Sequence, residues 1–296
     1  MRVLVFGGGG QVGFDLARAR WPEGFALRSL DRAEADITEP AAIAAALAAE
    51  PPDLVVNLAA YTAVDRAESE SERAWAVNCA GAGNVARAAS TRGVPLVHIS
   101  TDYVFDGTKS GPYREEDPVN PLGQYGASKE AGERAVREAA PRHVILRTQW
   151  VYGVAGANFV KTMLRLGRER DVVRVVADQW GGPTAAADLA RAIVAIAQQI
   201  AAGSVAWGTY HYAGAGAVSW HGFAEAIFDL AAPYLGRRPR LERVATADYP
   251  TPARRPLNSV LDCEKIRRDF GITPRPWRQS LEAMLGEYFA SETVRR

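Results

Sequence analysis

The chain has 296 residues, of which 48% are hydrophobic, and its formal net charge at pH 7 is +1. A chain of this length and composition can bury a core that needs no disulfide or metal to fold. Proteins that bind nucleic acid or anionic membranes electrostatically usually carry a basic excess on one face or tail, so neither partner is expected. An anionic small ligand is compatible with this charge.

Cysteine usage and hydropathy indicate the compartment. Cys79 and Cys263 are far apart in sequence and form neither a CxxC motif nor a Cys/His metal-ligand spacing, which is typical of a reducing compartment. No segment approaches the roughly 20 apolar residues of a membrane span, and the first apolar run, VLVF, ends at a glycine. We therefore expect a cytoplasmic protein whose chain begins inside its first structural element, without a targeting segment.

Short apolar runs alternate with helical segments along the first half of the chain. In chain order the predicted strands are VLVF, FALRSLD, PDLVVNLAA, VPLVHIST and HVILRT. The predicted helices are QVGFDLARA, which starts near Gln11, PAAIAAALAAE, SERAWAVNCAGAGNVARAAST and YGASKEAGERAVREAA. Because the strands are continuously apolar and alternate with helices, this order predicts an α/β fold of the Rossmann type, a doubly wound parallel sheet with helices on both faces.

This alternation loosens after residue 150. Segments of helical composition are joined there by connections rich in Gly, Pro and aromatic residues, such as GTYHYAGAGAVSWHG and YPTPARRPLNS. Residues 1–150, continued by part of 170–200, are predicted to form the core, and residues 151–296 mainly a smaller C-terminal lobe over the carboxyl edge of the sheet. No period of 20 to 50 residues repeats, which argues against a solenoid.

A glycine-rich turn lies between the first strand and the first helix. Gly7, Gly10 and Gly13 fit the spacing G-x-x-G-x-x-G, with Gln11 and Val12 at the start of the helix. Glycine permits positive φ and a close approach of the backbone to a pyrophosphate, whose charge the helix N-terminus stabilises. The alternative is a flexible turn without a ligand, because a glycine triplet by itself is a weak signal. The position after the first strand favours a dinucleotide site.

The end of the second strand carries two residues with opposite implications for the cofactor. Asp31 lies about 20 residues beyond the glycines, where a carboxylate hydrogen-bonds the adenosine ribose 2′-hydroxyl of NAD. Arg32 follows it, and an arginine at this place pairs with the 2′-phosphate of NADP. The sequence therefore leaves NADH and NADPH open, and a solvated turn pair without a ligand is a further alternative.

The stretch YGASK places Tyr125 and Lys129 on one face of a predicted helix. Only four of the 35 basic residues are lysines, so a lysine at this position suggests a specific chemical role. A nearby ammonium stabilises a phenolate and lowers the tyrosine pKa from about 10. A lysine also reaches a ribose hydroxyl better than the broader arginine fork. The pair is a candidate for proton transfer, but it arises often by chance and needs support.

Support comes from Thr101, which stands at the carboxyl end of the fourth predicted strand in ISTDYVF. Ligands bind at this edge of open parallel sheets, and a hydroxyl there can hydrogen-bond a substrate carbonyl. An isolated threonine at a strand end usually only fixes a turn. Here the helix that follows the strand carries Tyr125 and Lys129, which favours a catalytic set of three residues.

Together these residues resemble the extended short-chain dehydrogenase/reductase superfamily over most of the chain. Finer stretches are similar to its dTDP-4-dehydrorhamnose reductase family, and they occur in the right order: GGGGQVG, NLAAYTAVDRAESE, AWAVN, ISTDYVFDG, YGASK, RTQWVYG, DQWGGPT and YPTPARRPLNS. Eight ordered stretches are more specific than either superfamily motif. The resemblance implies an enzyme whose residues 1–150 bind a dinucleotide and whose residues 151–296 mainly bind substrate.

The resemblance also implies roles for individual residues. Thr101 would orient the keto group, Tyr125 would donate a proton to the developing alkoxide, and Lys129 would lower its pKa while holding the nicotinamide ribose. Further cofactor contacts would come from Asp36, Ile37, Ala59, Ala60, Tyr61 and Thr62. Substrate contacts would come from Asp102 and Tyr103, which face the sugar, Trp150, which packs on its methyl-bearing side, and Arg255, which meets the nucleotide diphosphate.

The implied reaction is hydride transfer from NADPH or NADH to the C4 keto carbon of dTDP-4-dehydro-6-deoxy-L-mannose, which gives dTDP-L-rhamnose. The expected partner is a nucleotide-sugar substrate, and the resemblance allows a homodimer. Some members of the family require Mg²⁺, in some cases at a dimer contact that involves acidic residues. This sequence shows no metal-ligand cluster, so no metal residues are assigned and Mg²⁺ stays an open expectation.

Other functions compete with this one. Sugar-nucleotide 4,6-dehydratases carry Asp-Glu after the threonine, whereas Asp102 is followed here by Tyr103, and epimerases lack PTPARRP, so both are disfavoured. Reduction of another nucleotide-linked 4-keto sugar stays open, since one pocket substitution can change the sugar. A non-catalytic regulatory subunit like that of methionine adenosyltransferase would keep the cofactor turn with a decayed reduction site. The intact Thr, Tyr and Lys set favours the enzyme.

Overall fold

The computed structural model describes residues 1–203 and 206–294. The strands of this part of the chain are β1 (Arg2–Phe6), β2 (Ala26–Leu30), β3 (Leu54–Asn57), β4 (Leu96–Thr101), β5 (His143–Thr148), β6 (Val151–Tyr152), β7 (Val172–Val176), β8 (Trp180–Gly181), β9 (Thr184–Ala185), β10 (Gly208–His211), β11 (Val218–Ser219) and β12 (Arg240–Val244). The α-helices are α1 (Gln11–Arg18), α2 (Pro40–Ala49), α3 (Val64–Ala67), α4 (Ser71–Trp75), α5 (Ala82–Thr91), α6 (Gln124–Ala139), α7 (Phe159–Glu169), α8 (Ala186–Ala201), α9 (Trp220–Leu235), α10 (Glu264–Phe270) and α11 (Trp277–Val294). Shorter helical turns are a π-helix at Ala76–Gly81 and 3-10 turns at Asp102–Val104 and Thr246–Asp248.

Six strands form one parallel sheet in the order β10-β5-β4-β3-β1-β2. The chain runs from β1 to β2 on one side and then returns to place β3 on the other side of β1. A crevice forms at such a switch point, outside the carboxyl ends of the strands. The parallel Rossmann-type sheet predicted from the sequence is confirmed.

The strands are apolar at successive residues because both faces of the sheet are covered. Val3 and Val5 point to the face packed by α1, α8 and α10, in a cluster that also contains Leu189. Leu4 and Phe6 point to the opposite face, which is covered by α2, α5 and α6. Successive side chains of a strand point to opposite faces of the sheet. When both faces are buried, both sets of side chains are apolar and the sequence does not alternate.

One strand of the sheet was missed by the sequence analysis. The stretch that begins GTYH was assigned to a connection, whereas β10 pairs in parallel with β5 at the edge of the sheet. Tyr210 and His211 of this strand are both buried. The assignment was wrong because a short strand with a histidine and a glycine has no apolar run, and its pairing with β5 decides its conformation.

The long predicted helix between β3 and β4 is present, but it is not uniform. Its first turn is α4, its middle is the π-helix Ala76–Gly81 and its last part is α5. π-helical turns are rare and frequently occur at functional sites. This turn carries Asn78, which is buried and contacts the segment after β3.

The C-terminal lobe packs around its own aromatic and aliphatic cluster. Helices α7, α9 and α11 contribute buried residues such as Leu164, Phe223, Phe228 and Leu285. The parallel pair β7 and β12 flanks this cluster. Among the described helices, none is both long and apolar enough to cross a bilayer.

Candidate active site

A cleft of about 1100 Å³ opens at the carboxyl edge of the sheet, where β1 and β3 end. Its walls come from the segments that follow β1 to β5 and from the first turns of α6. It is lined by every site residue predicted from the sequence except Arg255, namely Gly7, Gly10, Gln11, Val12, Gly13, Asp31, Arg32, Asp36, Ile37, Ala59, Ala60, Tyr61, Thr62, Thr101, Asp102, Tyr103, Tyr125, Lys129 and Trp150. The fold thus brings distant segments of the chain to one surface.

Positions that admit no side chain shape the glycine turn. Gly7 has a φ of +85°, and a Cβ atom there would lie 2.5 Å from the backbone nitrogen of Ala59. A Cβ atom on Gly13 would lie 2.4 Å from the carbonyl oxygen of Gly8. Gly10 is the N-cap of α1 and offers no side chain to the first backbone N–H groups of the helix. The turn therefore fits the pyrophosphate of a dinucleotide, which needs bare backbone and a helix N-terminus.

The residues at the end of β2 are held by contacts of their own. Asp31 Oδ1 accepts hydrogen bonds from the backbone N–H groups of Ala33 and Glu34 at 2.8 and 3.0 Å. The exposed Arg32 side chain donates from Nε to Asp36 Oδ2 at 2.9 Å. This end of the cleft presents both a carboxylate and a guanidinium, so the geometry favours neither cofactor over the other.

A residue that the sequence analysis missed fixes the segment after β3. Asn78 accepts a hydrogen bond from Tyr61 N at 2.8 Å and donates to Tyr61 O at 3.1 Å. The same amide group donates to Ser128 Oγ in α6 at 3.0 Å. Asn78 thus ties this wall of the cleft to the helix that carries Tyr125. The available signal was the stretch AWAVN, in which a polar residue ends an apolar helical run.

Thr101, Tyr125 and Lys129 converge at the floor of the cleft. Thr101 ends β4, and Tyr125 and Lys129 lie one turn apart at the start of α6. The buried Lys129 amine donates to the carbonyl oxygen of Ile99 in β4 at 2.7 Å. The Tyr125 ring meets Tyr103 edge-on with centroids 5.4 Å apart, and its hydroxyl lies near that of Thr101. A strand end and the following helix therefore assemble this group.

The electrostatics of this group differ from expectation in one respect. Burial raises the pKa of Tyr125 to about 12, and the nearby Thr101 hydroxyl opposes only part of this effect. Burial lowers the pKa of Lys129 to about 8, against the attraction of Glu133 in the same helix. The expected lowering of the Tyr125 pKa by Lys129 is not found, because desolvation dominates both groups. Tyr125 is consequently protonated at neutral pH, the form that can donate.

The turn after β4 joins the group of Thr101, Tyr125 and Lys129 to the C-terminal part of the chain. Asp102 is 1% exposed, and its Oδ1 lies 3.0 Å from Thr101 Oγ1. Arg255 is outside the cleft lining, where it pairs with Asp65 at 2.9 Å and lies near Tyr103. The arginine predicted to meet a diphosphate is therefore held beside a cleft residue rather than within the cleft.

Trp150 stands between β5 and β6 with a strained backbone. Its φ of +45° is the only positive value on a non-glycine residue within 1–203 and 206–294. The indole stacks on Trp220 of α9 with centroids 3.5 Å apart and planes 10° apart. A Cβ atom on Gly181 would lie 2.5 Å from this indole. The lobe thus fixes Trp150 from two sides, which is the usual way that such strain is stabilised.

Comparison with known proteins decides the family. The chain matches the family described as the RmlD substrate binding domain over residues 1–290. It belongs to this RmlD family. A relative from Aggregatibacter actinomycetemcomitans, named dTDP-4-dehydrorhamnose reductase, is 46% identical over 285 residues, which cover 95% of this chain and 97% of the relative. A second relative of that name, from Sinorhizobium fredii, is 45% identical over 96% of this chain and 97% of its own.

Solved structures of similar proteins have the same RmlD architecture. The dTDP-4-dehydrorhamnose reductase of Clostridium acetobutylicum is 36% identical with a TM-score of 0.91, covering 97% of this chain and 99% of that one. The enzyme of the same name from Bacillus anthracis, solved in complex with NADP, is 39% identical with a TM-score of 0.89 and the same coverage. The cleft described above therefore occurs in a fold shared with a dinucleotide-binding relative.

A second cavity of this RmlD chain bears on the expectation of Mg²⁺, because acidic side chains line it. Across residues 1–203 and 206–294, no group of three or more His, Cys, Asp or Glu is arranged to hold a metal ion. Asp15, Asp188 and Glu287 line a second cavity of about 140 Å³. Arg18 pairs with Glu287 at 2.6 Å and lies 4.0 Å from Asp15, and Arg191 pairs with Asp188. Guanidinium groups thus already supply the positive charge that a cation would bring.

Proposed function

We propose that this protein uses NADPH or NADH to reduce the C4 keto group of dTDP-4-dehydro-6-deoxy-L-mannose, giving dTDP-L-rhamnose. The observation that carries the proposal is the convergence of Thr101, Tyr125 and Lys129 at the floor of a cleft that begins at the glycine turn. Carbonyl reduction by a bound nicotinamide needs a proton donor and hydrogen bonds to the keto oxygen beside the cofactor. The names of the relatives supply the choice of sugar.

Each side chain at the floor of the cleft has a separate task in this reaction. When bound, the nicotinamide cofactor supplies the hydride. Tyr125 donates its phenolic proton to the keto oxygen as that atom gains negative charge. Burial keeps the Tyr125 hydroxyl protonated at neutral pH before this step. Thr101 donates a hydrogen bond to the same oxygen, and both donors are positioned by the fold in advance. Lys129 holds the nicotinamide ribose, with its amine fixed by a β4 carbonyl.

The substrate side of the cleft lies at the ends of β4 and β5, where the C-terminal lobe packs behind it. We assign Trp150, backed by Trp220, to the methyl-bearing side of the sugar, because a stacked indole offers a rigid apolar surface. Arg255 meets the diphosphate, and its ion pair with Asp65 holds the guanidinium near Tyr103. Tyr103 and Asp102 lie on the sugar side.

The same assignment divides the chain between the two ligands. Residues 1–150, with part of 170–200, bind the dinucleotide, and residues 151–296 mainly bind the substrate. The glycine turn in the cleft lining supports the first assignment, and Trp220 of the lobe, which stacks on Trp150 of the lining, supports the second. We place the reaction in the cytoplasm on the basis of cysteine usage, and the near-zero net charge supports the expectation of no nucleic-acid partner.

Steady-state oxidation of the reduced cofactor by purified protein tests the proposed reaction. NADPH and then NADH are supplied with enzymatically generated dTDP-4-dehydro-6-deoxy-L-mannose, and the product is identified as dTDP-L-rhamnose. The ratio of kcat/KM for the two cofactors decides between the influence of Asp31 and that of Arg32. Without turnover, but with dinucleotide still bound, the reaction would be wrong and a different keto sugar or a regulatory role would replace it.

Removal of divalent metal is expected to leave the activity unchanged. The acidic groups of the second cavity already pair with Arg18 and Arg191, so no carboxylate cluster there needs Mg²⁺. The measurement is kcat/KM after dialysis against EDTA, compared with the same protein after Mg²⁺ is restored. Loss of activity in EDTA and recovery with Mg²⁺ would contradict this prediction.

Light scattering under both conditions tests the expected homodimer separately.

A further inference from the structure

A buried carboxyl lies directly behind the hydroxyl that the proposed reaction uses. Asp102 is 1% exposed, and its Oδ1 lies 3.0 Å from Thr101 Oγ1. Its other oxygen, Oδ2, is buried and has no hydrogen-bond partner among the residues that the structure describes. A carboxylate with an unpaired buried oxygen is costly, whereas the neutral acid loses much less on burial. The position therefore favours a protonated carboxyl.

The hydrogen-bonding capacity of Thr101 decides what this carboxyl can do. A threonine hydroxyl has one proton to donate and two lone pairs that accept. One lone pair accepts from the backbone N–H of Tyr103 at 3.2 Å. If Asp102 is ionised, the single Thr101 proton points to its carboxylate and none remains for a keto oxygen. If Asp102 is protonated, the second lone pair accepts from the acid and the Thr101 proton is free to point into the cleft.

We propose that Asp102 is a positioning residue whose carboxylic acid donates to Thr101 Oγ1 and so directs the Thr101 proton to the substrate keto oxygen. This inference rests on the reduction proposed above. With Asp102 protonated, Thr101 and Tyr125 both donate to the developing oxyanion, whereas an ionised Asp102 leaves Tyr125 alone. The proton that ends on the product comes from Tyr125, and the proton on Asp102 stays in place throughout turnover.

The surroundings of Asp102 support this protonation state. Burial raises its pKa to about 7, and the nearby hydroxyls of Ser259 and Thr101 oppose only part of that effect. The Ser259 hydroxyl is engaged by other acceptors, Gln149 Oε1 and Trp180 O, each at 3.3 Å. A bound sugar would exclude more water from the cleft and would favour the neutral acid further.

The charged and titratable groups around this carboxyl do not hold it in the ionised form. Burial raises the pKa values of Tyr103 and Tyr125, so both phenols are neutral near pH 7. Lys129 donates to a β4 carbonyl and has Glu133 as its nearby anion. Arg255 pairs with Asp65. The two cations of the site are thus engaged by other groups.

The pH profiles of two variants test the role. Asp102→Ala lacks a donor, so kcat/KM is expected to fall at least about 10-fold through misdirection of Thr101. Asp102→Asn carries an amide that donates to Thr101 at every pH, so it is expected to recover most of that loss. In wild type, kcat/KM should fall as Asp102 ionises through a pKa of about 7 and again as Lys129 loses its charge through a pKa of about 8. The Asn variant should keep only the second fall.

A matched control separates this effect from a general loss of negative charge. Asp106 lies four residues further along the chain, outside the cleft lining, and hydrogen bonds from Thr108 lower its pKa to about 2. Asp106→Asn is therefore expected to keep the wild-type pH profile. An Asp102→Asn protein that is as impaired as Asp102→Ala at every pH, while it still binds NADPH, would overturn the inference.

Infrared difference spectroscopy detects directly whether the Asp102 carboxyl is protonated. With NADPH bound, wild type minus Asp102→Asn should show a carboxylic acid carbonyl band that fades as the pH rises through about 7. A difference spectrum with only carboxylate bands below that pH would overturn the inference. If wild type does not reduce the keto sugar at all, the proposed reaction fails. If wild type turns over but the Asn variant is not rescued, only the role of Asp102 fails.

Discussion

Replacement of Tyr125 by Phe is expected to lower kcat at least about 100-fold while dinucleotide binding is kept. The variant retains the ring and its edge contact with Tyr103, but it loses the proton that neutralises the alkoxide. Thr101 would still donate a hydrogen bond, although its own proton is far less acidic than that of a phenol. Steady-state kinetics with the keto sugar, together with a titration of NADPH binding, measures both effects.

Tyr210→Phe is the matched control for this variant. Tyr210 is a buried tyrosine of β10 whose hydroxyl donates to Ala206 O at 2.7 Å, away from the cleft. Its loss removes the partly buried hydrogen bonds of this hydroxyl with Ala206 O and Asp269 Oδ2, so Tm is expected to fall while kcat stays near wild type. Near-normal turnover of Tyr125→Phe would remove Tyr125 as the proton donor. A fall in kcat of the control as large as that of Tyr125→Phe would show that both effects are structural.

Replacement of Lys129 by Arg is expected to lower kcat/KM at least about 100-fold although the charge is kept. Lys129 is 2% exposed, and its compact amine fits against the Ile99 carbonyl. A planar guanidinium is broader and would displace either the strand or the ribose that the amine holds. The measurement is kcat/KM with NADPH, with Tm and NADPH affinity recorded for the same protein.

Lys265→Arg provides the comparison, because Lys265 makes the same kind of bond elsewhere. Its amine donates to Thr209 O in β10 at 2.7 Å and lies over the Tyr210 ring. This variant is expected to keep wild-type kcat/KM, since no part of it reaches the cleft. A fully active Lys129→Arg protein would mean that the lysine has no special task.

Much of the fold could be predicted because its cause is local in the sequence. Continuous apolar runs such as that of β1 reflect burial on both faces, where Val3 and Leu4 enter different clusters. The glycine turn was equally readable, because Gly7 and Gly13 occupy positions that no side chain fits. Strand β10 could not be predicted from the sequence, because its conformation depends on pairing with β5 rather than on its own composition.

The candidate site, too, could be predicted from the sequence only in part. The order of Thr101, Tyr125 and Lys129 along a strand and its following helix predicted their convergence, because such a helix packs back beside the carboxyl end of its strand, although residues 102–123 lie between the two elements. The pKa of Tyr125 ran against the expectation, because burial outweighs the neighbouring amine. The anchoring by Asn78 was missed, because it joins three segments that are distant in sequence.

The sequence by itself determined the parallel sheet, the glycine turn, and the identity and order of the three side chains at the floor of the cleft. Residue type, spacing and periodicity are local properties, and they suffice for these features. Only the tertiary structure decided how deeply Tyr125 and Asp102 are buried, and with that the protons they carry at neutral pH. It also decided that Arg18 and Arg191 neutralise the acidic cavity. Desolvation and ion pairing depend on which distant segments meet, and no local pattern records that.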